Sequence, residues 1–310
     1  MQFAPLHAAT MPEALMDLHA RLAASARVHH TPCGAGHIVW HHWPALGADG
    51  APLAEMLPIP AQPPVVLFHG GSGSWTHWLR NIAPLQAAGR DVWAVDLPGF
   101  GDSGHCGGDA DALVEPLAQS MTQLGLHGVD LVGFSFGGMT AGLLLAAHPT
   151  LARQLVLVGA PGLGLTVRRL RLLGWRHLPI PEAQNAAHRH NLAELMLRAP
   201  ALIDAHLLAL HAANVARDRM PRRRLSDTDI LARTLPTLRH PVHAIYGAHD
   251  VLYADIQTPL AQALAVAPDF RGLHFIPNAG HWVQFECPQA FDAVLLAALD
   301  AAPAPGPAAV

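Results

Sequence analysis

Cysteine is scarce in this chain of 310 residues, which has only Cys33, Cys106 and Cys287. They are widely spaced and odd in number, which fits neither a disulfide framework nor a C-x-x-C metal site, and the expected home is a reducing cytoplasm. Charge is sparse as well, at 14% of residues with a formal net charge of −4. The only dense basic run, Arg222-Arg223-Arg224, is short and has no interleaved aromatics. It reads as a solvated loop and argues against a nucleic-acid partner. No apolar stretch reaches the roughly 20 residues that a bilayer span requires. No Lys or Arg precedes an apolar run at the N-terminus, so neither export nor a membrane partner is expected. Histidine is abundant, with 22 copies. Even so, the group His29, His30, Cys33, His37, His41 and His42 lacks the pair spacing of a zinc site, and strand alternation would turn neighbours to opposite faces. Neither a metal nor a cofactor is expected.

With 51% hydrophobic residues the chain can bury a large core. A first helix is predicted from Thr10 to about Ala26, because "TMPE" offers a cap, a proline in the first turn and a glutamate three residues after the cap. Residues 27–44, with the turn "TPCGAG", suggest two antiparallel strands. After a proline-rich loop over 45–64 the pattern changes to short apolar runs that end in glycine, with helix-length segments between them: "PVVLFHG", "DVWAVDLPG", "VDLVGFS", "RQLVLVGAPG", "HPVHAIYGAHD" and "GLHFIPNAGH". Such runs are buried parallel strands with crossover helices, and they predict a doubly wound α/β sheet. Between "GAPG" and "HPVHAIYG" the spacing predicts helices near 165–176, 188–198 and 201–218. The organisation expected is a core over 1–161, a helical insertion over 162–225, the rest of the core over 226–302 and a disordered tail at 303–310.

Ligands of such sheets bind outside the carboxyl ends of the strands. Ser135 stands there in "GFSFGG", after a strand and before a helix. Glycines at 133 and 137 permit a turn too tight for a Cβ and leave the hydroxyl exposed. A serine needs a base, and the base needs an orienting group. His281 in "NAGHW" follows the last strand, and Asp250 closes "IYGAHD"; Asp255 is the rival acid. The backbone N–H groups of Phe136 and Gly71, the latter in "HGGSGSW", are candidate donors to an oxyanion. His69 and Asp96 read as loop organisers. Phe134, Phe136 and Trp282 adjoin catalytic candidates and would wall the pocket.

Together "HGG", "DLPGFGDS", "GFSFGG", "GAHD" and "GHW", in that order, resemble the α/β-hydrolase superfamily over residues 25–300. The resemblance implies an eight-stranded, mostly parallel sheet flanked by helices, a serine–acid–histidine triad with an acyl-enzyme mechanism, and an inserted helical lid. "GHWVQFE" with "W-x-x-x-x-RN" at 75–81 is similar to the carbon–carbon bond hydrolases of meta-cleavage products. The chain departs from them at three substrate-contacting positions: Phe134 replaces an asparagine, His77 replaces a second one, and His211 aligns with a lid arginine. The expected activity is therefore hydrolysis of small or medium apolar carboxylic esters, with a small-molecule substrate as the partner. C–C hydrolysis, cofactor-free haloperoxidase or perhydrolase chemistry, acyl transfer and non-catalytic binding are the alternatives.

Overall fold

A computed structural model of the protein describes residues 14–47, 50, 62–165, 168–220 and 223–301. Eight strands form one sheet: β1 (Arg27–Cys33), β2 (Gly36–Trp43), β3 (Val65–Phe68), β4 (Val92–Asp96), β5 (Val129–Phe134), β6 (Ala152–Val158), β7 (Val242–Gly247) and β8 (Phe270–Ile276). Their order across the sheet is β1-β2-β4-β3-β5-β6-β7-β8. The β1/β2 and β2/β4 pairs are antiparallel, and every other pair is parallel. The expected mostly parallel sheet is present. Strands β3, β4, β5 and β7 are buried at every position, as a sheet covered on both faces requires.

The helices that cover it are α1 (Leu15–Ser25), α2 (Ile82–Ala87), α3 (Val114–Gln123), α4 (Phe136–Ala147), α5 (Pro181–Asn191), α6 (Ala205–Ala216), α7 (Ile230–Thr234), α8 (Gln257–Leu264), α9 (Val283–Glu286) and α10 (Pro288–Ala301). One core layer joins α3, α4, α7 and α8 through Leu117, Met121, Leu144, Leu231 and Leu260. The other joins α1, α2, α9 and α10 through Leu22, Leu85, Phe285, Phe291 and Leu295. Thr10 and the tail 303–310 lie outside the described residues. Within them, α1 begins at Leu15 with no side-chain cap.

Three expectations need correction. Cys33 and Cys106 form a disulfide across 73 residues, with Cα atoms 6.2 Å apart, and Cys287 alone is free. An odd count does not prevent two thiols from pairing once β1 ends beside the loop after β4. The inference from cysteine count to a reducing compartment therefore loses its basis. Among the described residues no helix is long and apolar enough to cross a membrane. The second correction concerns the insertion between β6 and β7. Its described residues in 165–176 form no helix, and Leu172 and Leu173 are exposed. Helical spacing without a face to bury against leaves a short helix marginal. Helix α5 instead begins at Pro181 and runs into a single π turn at Leu192–Met196. The third correction, at Arg223, belongs with the site.

Candidate active site

The turn between β5 and α4 carries Ser135 at φ 50°, ψ −121°, a left-handed conformation costly for any residue with a Cβ. Close backbone packing on both sides holds it. A Cβ on Gly133 would lie 2.5 Å from the carbonyl oxygen of Gly137, and one on Gly137 would meet the carbonyls of Phe68 and His69 at the end of β3. Glycine at both positions lets α4 start directly under the serine. Phe136 opens that helix, so its N–H is one of the donors that a helix leaves unpaired. Its side chain is buried in the core against Phe100, sealing the turn rather than walling the cleft.

The structure brings Ser135, His281 and Asp250 together from three loops. His281 Nε2 lies 3.0 Å from Ser135 Oγ, and His281 Nδ1 lies 2.7 Å from Asp250 Oδ2. Because a carboxylate can only accept, Nδ1 carries the proton and Nε2 faces the hydroxyl as an acceptor. Asp250 is fully buried, and its other oxygen accepts from the Leu252 N–H. Asp255 sits exposed in a short helical turn and makes no such contact. The His281 loop is fastened to the insertion: Trp282 N–H donates to the Met196 carbonyl, while Glu286 accepts from the N–H groups of Gly280, Arg198 and Ala199.

On the opposite side, the loop after β3 runs His69, Gly70, Gly71, Ser72. His69 is fully buried, donates from Nδ1 to the Gly70 carbonyl and accepts at Nε2 from Leu97 N–H, which is the loop-holding role expected of it. Asp96 accepts from the N–H groups of Trp75 and Asp102 and so organises two loops; burial raises its pKa. Phe134 lies between the rings of His77 and His281, at centroid distances of 5.6 and 5.1 Å. Trp282 packs on His77 and donates from Nε1 to its carbonyl. His211, on α6, stands edge-on to His188, and burial with the His188 ring lowers its pKa to about 4. The insertion residues Leu192, Met196, Leu207 and Leu208 are buried in the same layer as Phe134, Trp282 and Trp75.

Sequence reasoning missed two polar groups. Arg223 is not simply solvated: its side chain is 34% exposed and ion-pairs with Asp218 at 2.6 Å. Its guanidinium lies 3.5 Å from where a Cβ on Gly71 would be. The buried Asn214 of α6 accepts from Ser74 Oγ and donates to Thr76 Oγ1, both at 2.9 Å, tying the insertion to the glycine loop. Neither position carries a local sequence signal. A separate groove of about 650 Å³, lined by His30, His37, His41, Asp102, Arg217 and Arg219 among others, includes none of Ser135, Asp250 and His281. Among the described residues no group of three or more His, Cys, Asp or Glu is arranged to hold a metal ion.

An eight-stranded sheet with a serine elbow at the end of its fifth strand is the architecture of an α/β hydrolase, and the alpha/beta hydrolase family model matches residues 65–294. The chain belongs to that family and is a hydrolase by membership. It is 30% identical over 245 residues to a 2-hydroxy-6-oxo-2,4-heptadienoate hydrolase of Pseudomonas putida, covering 72% of this chain and 84% of that one. It is also 29% identical over 249 residues to the dihydrolipoyllysine-residue acetyltransferase component of an acetoin cleaving system, again from Pseudomonas putida. That match covers 76% of this chain but only 63% of the relative's length. In fold it is similar to an esterase of a Rhodococcus species, with a TM-score of 0.68 at 20% identity, covering 90% of this chain and all of that one.

Proposed function

We propose that this hydrolase cleaves small or medium, uncharged carboxylic esters, with Ser135 as nucleophile, His281 as general base and then acid, and Asp250 as the group that orients and stabilises the imidazolium. The observation that carries the reading is the continuous path from Ser135 Oγ through His281 to Asp250, at 3.0 and 2.7 Å, on a turn held in a left-handed conformation. The proton leaves the hydroxyl as Oγ attacks the ester carbonyl, and passes from His281 to the departing alcohol. Water, deprotonated by the same imidazole, then releases the acid. The N–H groups of Phe136 and Gly71 are the proposed oxyanion donors. Residues 162–225 act as a lid whose buried leucines exclude water.

Ester rather than acidic substrate is favoured by charge. Burying a carboxylate without a paired cation is costly. His77 and His211 are both held neutral by burial, Arg168, Arg169 and Arg198 are exposed, and Arg223 is already matched by Asp218. C–C hydrolysis is the second reading, supported by the 30% identity to a dienoate hydrolase. The test is kcat/KM for p-nitrophenyl acetate to hexanoate against a 2-hydroxy-6-oxo-dienoate on one preparation. The esters should give the higher value, and Ser135→Ala should abolish turnover and fluorophosphonate labelling. A higher value for the dienoate would reverse the ranking.

A further inference from the structure

The stretch 168–180, ahead of α5 in the insertion, carries Arg168, Arg169, Arg171 and Arg176, and no acid lies between 163 and 181. The chain as a whole is acidic, with a formal charge of −4, so this is a local reversal of sign. All four arginines are exposed, and none of their guanidinium groups forms an ion pair among the described residues. The acids that follow leave them unmatched. Glu182 is itself exposed, and Glu194 faces the backbone N–H of Arg171, at 3.5 Å.

Apolar side chains stand among these charges. Leu172, Leu173 and Ile180 are 50%, 48% and 53% exposed, and they are half of the six large hydrophobic residues left so open among the described residues. The stretch is neither helix nor strand, yet α5 holds its backbone. Asn191 accepts from the Leu173 N–H at 2.7 Å and donates to the Leu173 carbonyl at 2.9 Å, and His190 donates to the Arg171 carbonyl at 2.8 Å. Backbone groups paired within the protein cost less to bring to a lipid surface than groups that must give up water.

We propose that this segment docks the protein on an anionic lipid bilayer, with its arginines at the headgroup phosphates and Leu172, Leu173 and Ile180 entering the acyl boundary. Interfacial binding draws on buried apolar area together with attraction to anionic lipid, and one exposed stretch here supplies both. The segment lies on the surface, so no membrane-crossing helix is needed. Two other occupants fit less well. Single-stranded nucleic acid is held by stacked aromatic rings, and Trp175 already packs on His188 at 5.0 Å and on the Arg176 guanidinium at 4.9 Å. A second copy would set the same arginines against one another across a two-fold axis.

The test is co-sedimentation of the Ser135→Ala protein with phosphatidylcholine vesicles, with and without phosphatidylglycerol. It needs no turnover, so its outcome is independent of the esterase reading. At low salt the anionic vesicles should bind the protein about a hundredfold better than the neutral ones, and added salt should weaken that binding steeply. Arg168→Gln with Arg169→Gln should cost about fivefold for each arginine, or about 25-fold together, while lysine at both positions should keep the binding, since a lipid surface reads charge rather than fork geometry. Leu172→Ser with Leu173→Ser should cost about tenfold and leave the salt dependence in place. Arg233→Gln with Arg239→Gln, exposed arginines outside the segment, should change nothing. Circular dichroism checks that each variant is folded. Equal binding to both kinds of vesicle, no binding to either, or an undiminished affinity in the folded glutamine variant overturns the proposal. So does binding to a homopolymeric RNA without vesicle binding, or a vesicle-independent dimer that the two serines dissolve.

Discussion

Asp292, on α10, is 7% exposed, and its carboxyl accepts from Asn81 Nδ2 at 2.7 Å. The same Asn81 nitrogen donates to the Gln284 carbonyl of α9, three residues beyond His281, so the carboxyl helps set the helix that follows His281. Burial raises the Asp292 pKa to about 7, against a smaller lowering by Asn81. The folded state then keeps a proton that the unfolded chain has released above about pH 4. Folding stability must therefore fall as pH rises from about 4 to about 7, and the full penalty stands above that range. A shift of about three units at 1.36 kcal/mol each is a penalty of roughly 4 kcal/mol, an upper figure since water entry would relieve part of it. Asp292→Asn has no charge to bury and keeps the oxygen that Asn81 needs. It should raise Tm by several degrees at pH 8 and change it little at pH 4.5. Asp292→Ala strands the Asn81 amide and should stabilise less than the asparagine at pH 8 and lower Tm at pH 4.5. The assay is thermal unfolding by circular dichroism from pH 4.5 to 8.5. A difference between Asp292→Asn and wild type that stays constant across that range, or a lower Tm for the variant at pH 8, would refute the reasoning.

Two further expectations can be checked on the same preparations. Asp250→Asn should cost roughly 10⁴-fold in kcat, the precedent for losing the carboxylate behind a catalytic imidazole, while Asp255→Asn should cost little, since that side chain is exposed. A severe loss from Asp255→Asn alone would mean the acid is misassigned. Denatured without reductant, the protein should titrate one thiol, that of Cys287, and three after reduction. Three thiols without reductant would remove the Cys33–Cys106 bond from the account.

The elbow and the two loops that bring Asp250 and His281 to Ser135 were legible because each is punctuated locally. A short apolar run ends, a glycine allows a tight turn, and a residue able to do chemistry follows within a few positions, as in "GFSFGG", "IYGAHD" and "NAGHW". The hairpin of β1 and β2 was legible for the same reason, with Gly34 at φ 57° in its turn. The helix expected over 165–176 failed for the opposite reason. Periodicity reports which face a segment could bury, not whether another element is there to receive it, and Leu172 and Leu173 met none. Pairing of Cys33 with Cys106 is a property of where β1 ends relative to the loop after β4, which spacing along the chain does not encode.

The polar side of the cleft was the least legible part because its partners lie far apart in sequence. Asn214 meets Ser74 across 140 residues, and Ser72 Oγ donates to Asp218 across 146. Arg223 reaches Gly71 only because the segment after α6 is fastened down at several points, with Arg219 on the carbonyls of Phe100, Gly101 and Ser103 and Arg217 on Asp102. A basic triplet in a loop looks the same in sequence whether its charges are solvated or matched. That difference bears directly on substrate choice. An unmatched arginine beside the glycine loop would invite a carboxylate, whereas Arg223 is held by Asp218, which is why its charge counts for little in the ester reading proposed above.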